Sequence, residues 1–125
     1  MPTFDTRFFV EFFGQKDPEK KKQLIHLASQ GGRCSTITLH ELYKLFSEVE
    51  GKEVAELRFN ILRSTYEIVP VSSSIARDSA LLRLQQNIPV ADSIIAATAL
   101  EKDRIAITDD PHFSQLPKIK VKWIR

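Results

Sequence analysis

Short β-branched or apolar segments alternate with helix-length amphipathic segments along the whole 125-residue chain. This alternation constrains the fold more than any other feature. Strands separated by helices pair in parallel, and a parallel sheet needs helical cover on both faces. The strand candidates are Thr3–Phe4, Cys34–Ile37, Ile68–Val71, Ile105–Thr108 and Val121–Ile124. Between them, an aromatic helical segment covers Phe8–Phe13. Asp17-Pro18 then reads as N-cap and first residue of a helix to about Gln30, closed by Gly31-Gly32. Thr38 and Glu41 have capping-box spacing, opening a helix that Gly51 ends. Further helices are expected over Lys52–Thr65, Ile75–Gln86 and Val90–Lys102, with Ser72–Ser74 available as a cap. The expected fold is one α/β domain over residues 1–125, a mainly parallel sheet of about four to five strands with helices on both faces.

An apolar share of 42% is enough for one core without disulfides, and no run reaches the roughly 18 apolar residues that span a bilayer. Asp5 and Arg7 close behind Met1 argue against a signal peptide. The lone Cys34 cannot pair internally and reads as a small core residue, which implies a reducing, cytoplasmic setting. A net charge of +2 excludes a bulk polycation. Two basic clusters, Lys16/Lys20/Lys21/Lys22 and Lys118/Lys120/Lys122/Arg125, could face a phosphate backbone, but each taken alone reads better as a solvated helix surface or a charged edge strand.

In a parallel sheet, ligands bind beyond the carboxyl ends of the strands. Asp5 follows the first strand, Glu41 lies in the first turn after the second, Asp92 opens a helix, and Asp109 and Asp110 follow a later strand. Acids gathered at one rim repel one another, and a divalent cation is what makes such a site tolerable. Each acid also has a local reading. Asp5 could cap a helix beginning near Arg7, Glu41 completes a capping box, and Asp92 could complement a helix dipole. Asp109-Asp110-Pro111 could be a turn. Against the local reading of Asp92, the segment Ile94–Leu100 is apolar or small on nearly every side, so Asp92 opens a buried helix, where an unpaired acid is costly.

Other chemistries fit less well. His26, His40 and His112 are scattered, and HELYK lacks the second histidine of a zinc-protease motif. There is no Gly-rich phosphate loop and no G-x-S-x-G elbow. Oxygen donors favour Mg²⁺ or Mn²⁺ over zinc.

In these segments the chain resembles the PIN-domain ribonucleases, especially the toxin components of VapBC-type toxin–antitoxin pairs. The resemblance covers essentially the whole chain. Its marks, in order, are Asp5-Thr6, Glu41 in TLHEL, Asp92-Ser93-Ile94-Ile95-Ala96-Ala97-Thr98-Ala99, and Thr108 with Asp110 and Phe113. The resemblance implies that Asp5, Glu41, Asp92 and Asp110 are the metal-binding acids, with Asp5, Asp92 and Asp110 in direct contact and Glu41 further out or orienting a water. Thr108 would steady them, Thr6 would be a lesser supporting hydroxyl, and Asp109 would substitute for or assist Asp110. The implied activity is Mg²⁺- or Mn²⁺-dependent hydrolysis of RNA, by a homodimer held in check by an antitoxin protein.

Two features depart from the family pattern. Only four residues precede Asp5, which would weaken anchoring of the first strand, and Arg7 with its aromatic run could alter access or contact phosphate. Two other functions compete: a PIN-like regulatory module without turnover, and a structure-selective DNA nuclease. For the first, Val54, Leu57, Phe59, Ile61 and Leu62 with Leu42, Leu45 and Phe46 could form a groove for a partner helix, or simply pack together.

Overall fold

The computed structural model describes residues 1–123. Five strands, β1 (Thr3–Phe4), β2 (Arg33–Ser35), β3 (Glu67–Val69), β4 (Ile105–Ile107) and β5 (Lys120–Lys122), form one sheet in the order β3-β2-β1-β4-β5. Every neighbouring pair is parallel. The helices are α1 (Thr6–Gly14), α2 (Pro18–Ser29), α3 (Thr36–Glu50), α4 (Lys52–Thr65), α5 (Ser73–Gln85), α6 (Val90–Glu101) and the single turn α7 (Pro111–Ser114).

Successive strand residues point to opposite faces, and the two faces carry separate cores. Phe4, Cys34 and Ile107 join Phe8 and Phe9 of α1, Leu24 of α2, Leu39, Leu42 and Phe46 of α3, and Ala55 and Leu62 of α4. Ala106 faces the other way, against Ile95, Ala96 and Ala99 of α6 and Phe113 of α7. The expected doubly covered parallel sheet is therefore what forms.

The abbreviated first strand is central, not weakly held. Phe4 is fully buried, its ring centroid 4.6 Å from that of Phe8 and 5.2 Å from that of Tyr66. Phe8 and Phe9 are buried too, and each such ring contributes about 2–3 kcal/mol by leaving water. The aromatic run after Asp5 thus supplies the anchoring that two strand residues cannot. Gly32 completes the arrangement: a Cβ there would lie 2.7 Å from the Pro2 carbonyl, so only glycine lets β2 run this close to the start of β1.

Several local expectations hold. Asp17 caps α2 by accepting from the Glu19 N–H, with Pro18 as first residue. Ser72 caps α5, and Gly51 closes α3 at φ +96°, a conformation that disfavours a side chain.

The entry into α3 differs. The second strand ends at Ser35, and the helix begins at Thr36. Ser35 is the cap, accepting from the Ile37 N–H at 3.2 Å, so the capping box read from Thr38 and Glu41 does not exist. The β-branched run Thr36-Ile37-Thr38 suggests a strand. A good cap and tertiary burial of Thr38 and Leu39 outweigh that preference.

The groove expected across α3 and α4 is mostly closed by their own packing: Leu42, Phe46 and Leu62 are core residues. Leu57 and Ile61 remain exposed. Thr36, Leu39, His40, Tyr43, Lys44, Glu56 and Phe59 line an open groove of about 650 Å³. The last strand lies at Lys120–Lys122; Ile124, placed in it from sequence, and Arg125 of the second basic cluster lie outside the described residues. No helix among the described residues is long and apolar enough to cross a membrane.

Candidate metal centre

Asp5 emerges directly from β1, at the N-cap position of α1, but its side chain makes no capping hydrogen bond. Instead Oδ2 accepts a 2.7 Å hydrogen bond from Thr108, the residue after β4. Its backbone N–H continues the sheet by donating to the Ile107 carbonyl. The side chain is nearly inaccessible, and burial pushes its pKa up to about 7; the charges of Asp92 and Asp110 push the same way, while the Thr108 hydroxyl and Thr6 N–H oppose them.

Thr108 serves both sides of the rim, because its hydroxyl oxygen also accepts from the Asp110 N–H at 3.0 Å. Asp110 in turn caps α7, accepting from the His112 N–H at 2.9 Å. Asp92 stands in the first turn of α6, whose cap residue Pro89 offers no side-chain acceptor. Burial raises its pKa to about 6, reinforced by the charge of and hydrogen bond with Asp110 and by Glu41, and opposed by His112. Ser93, Ala96 and Ala99 behind it are fully buried, and this small surface lets α6 sit close to the sheet.

Glu41 points to the same rim from the second turn of α3. Thr6 donates to its Oε1 at 2.7 Å, and the Thr6 hydroxyl also lies 3.2 Å from that of the buried Thr38. One hydroxyl carries one proton, and the shorter contact to a carboxylate takes it. With the capping box gone, this bond to Thr6 is what holds Glu41.

Asp109 is drawn aside. Its Oδ1 accepts from Arg7 Nε at 2.7 Å, and Oδ2 lies 3.4 Å from the same guanidinium. Arg7, singled out in the sequence as a departure, thus neutralises the extra acid next to the rim.

His112 has no role in the sequence reading, yet its Nδ1 lies 2.9 Å from Asp110 Oδ1 and 3.4 Å from Asp92 Oδ2. Asp92, Asp110 and His112 each offer a ligand atom within 4.8 Å of the others. The signal was its place two residues after a capping Asp in a Pro-initiated turn, which folds the ring back over the cap.

This geometry fits a divalent cation. Asp5 and Asp92 both resist ionising without one, their neighbours are acids, and the Nδ1 of His112 is screened from solvent with no hydrogen-bond partner among the described residues.

The fold and site together define a parallel α/β domain with an acidic, cation-ready rim at the carboxyl ends of its strands. Residues 3–119 match the model of the PIN domain, and the chain belongs to that family. Compared by sequence with curated proteins, it has no match. Its fold is similar to that of VapBC2 from Rickettsia felis bound to a promoter DNA fragment, at 22% identity over 97% of this chain and 96% of that one, TM-score 0.78. It is also similar to DNA-bound VapBC from Salmonella typhimurium, at 18% identity over 98% of both chains, TM-score 0.79. The same holds for VapC20 from Mycobacterium tuberculosis, a toxin that cleaves the sarcin-ricin loop, at 16% identity over 94% of this chain and 95% of that one, TM-score 0.77.

Proposed function

We propose that this protein is a Mg²⁺- or Mn²⁺-dependent endoribonuclease and the toxin of a toxin–antitoxin pair, the whole chain acting as one nuclease domain. The observation that carries the reading is the meeting of Asp5 and Asp110 on the Thr108 hydroxyl, with Asp92 near enough to both for their charges to act on one another and with burial making the Asp5 and Asp92 carboxylates costly to ionise. That cost is offset when a cation binds.

Asp5, Asp92 and Asp110 are the residues that would hold the ion. When bound, it supplies Lewis-acid polarisation of the scissile phosphate and a water of lowered pKa. Thr108 orients two of the acids at once, so they need not rearrange as charge develops. Glu41, kept in place by Thr6, is positioned to orient the attacking water and accept its proton. Arg7 keeps Asp109 from adding a further negative charge against an incoming phosphate. An opening of about 410 Å³ adjoins Glu41, between Lys44 of α3 and Val90 and Ala91 of α6.

The toxin reading is supported by the solved neighbours, which include toxin–antitoxin complexes from Rickettsia felis and Klebsiella pneumoniae. An antitoxin segment and a second copy of the chain are the proposed partners, for which exposed Leu57, Ile61, Leu81 and Leu84 offer apolar surface.

The test is cleavage of RNA and of single-stranded DNA with Mg²⁺, Mn²⁺ or EDTA. RNA cleavage that EDTA stops supports the proposal. Preferential cleavage of DNA contradicts the substrate, and binding without turnover contradicts the activity.

A further inference from the structure

Nδ1 of His112 approaches two carboxylate oxygens, at 2.9 Å and 3.4 Å, is screened from solvent and has no hydrogen-bond partner among the described residues. Two electron-rich atoms this close need a proton or a cation between them. A shared proton would make a hydrogen bond, and Nδ1 makes none among the described residues. Neighbouring ligands around one ion at bonds of about 2.1 Å stand roughly 3 Å apart, which is the spacing seen here.

We infer that His112 is a nitrogen ligand, through Nδ1, for the cation held by Asp92 and Asp110, and that it biases this centre toward Mn²⁺ over Mg²⁺. This rests on the cation-dependent reading of the rim and assigns it a fifth residue and a metal preference. Mg²⁺ is selective for oxygen ligands and gives up its waters reluctantly, whereas imidazole suits first-row transition ions, among which Mn²⁺ also accepts carboxylates. The backbone supports the assignment. The His112 N–H caps Asp110, so the turn that orients this acid also swings the imidazole over it.

The test uses the full chain, loaded with Mn²⁺ alone or Mg²⁺ alone. Electron spin-echo spectroscopy of the Mn²⁺-loaded protein is expected to show coupling to a ¹⁴N nucleus, lost in His112→Ala. Calorimetric titration is expected to show Mn²⁺ affinity falling at least about ten-fold in His112→Ala, with Mg²⁺ affinity little changed. The variant keeps the backbone cap, and the wild-type spectrum needs no variant at all. Mn²⁺ binding with no nitrogen coupling and an unchanged Mn²⁺/Mg²⁺ ratio in His112→Ala overturns this inference alone. A wild-type protein that binds neither ion overturns both it and the proposed function.

Discussion

Thr108 donates a 2.7 Å hydrogen bond to Asp5 across 103 positions of sequence, joining the ends of β4 and β1 at the centre of the rim. Both residues are buried, so no water can replace either partner. Thr108→Val leaves the Asp5 carboxyl unsatisfied and removes the acceptor for the Asp110 N–H. A loss of about 1–3 kcal/mol is expected in denaturant unfolding, together with weaker cation binding. Unchanged stability would mean that this bond does not organise the rim.

Stability of the metal-free protein should depend on pH through Asp5. Burial pushes its carboxyl up to about 7 in the folded chain, from the ordinary aspartate value of 3.8. The folded chain therefore holds this proton more tightly than the unfolded chain. The resulting stability is fully present below about pH 4 and is lost as pH rises toward 7. In EDTA, Tm should fall across that window, and Asp5→Asn should flatten the slope and raise Tm at neutral pH. Added Mn²⁺ should raise Tm increasingly as pH rises, because it binds the ionised acids. Melting curves from pH 4 to 8 check both signs.

Glu41 and Ser35 should behave oppositely. Ser35 caps α3, so Ser35→Ala should cost about 1 kcal/mol of unfolding free energy. Glu41 caps nothing, so Glu41→Gln should leave stability nearly unchanged and reduce cleavage. Thr6→Val, which frees Glu41, should reduce cleavage in the same direction but less. A Glu41 variant destabilised as much as Ser35→Ala would restore the capping role.

Asp109 and Asp110 are adjacent but unequal. Because Arg7 engages Asp109, Asp109→Asn should retain most cation affinity, whereas Asp110→Asn should lose it. Calorimetry on the two variants separates them, and equal losses would contradict the division of labour.

The sheet was legible in sequence because its strands are bounded by helices with strong caps, such as Asp17-Pro18 and Ser72. Asp5 and Asp110 were legible as strand-end acids for the same reason. The start of α3 was not, since Thr36-Ile37-Thr38 has strand character and only the Ser35 cap together with burial makes it helical. Glu41 was ambiguous for that reason: its capping role required the cap at Thr38, and the helix is capped at Ser35 instead. The ion pair of Arg7 with Asp109 and the turn of His112 toward Asp92 join residues distant in sequence or bent back by one tight turn. Periodicity carries no trace of either.

As proposed, the acidic rim is a cation-dependent RNase site. The most direct measurement is RNA cleavage by wild type and Asp92→Asn in Mg²⁺ or Mn²⁺, each matched to EDTA, with folding checked by circular dichroism. The account predicts EDTA-sensitive cleavage by wild type and none by a folded Asp92→Asn. Full activity in the folded variant would contradict it.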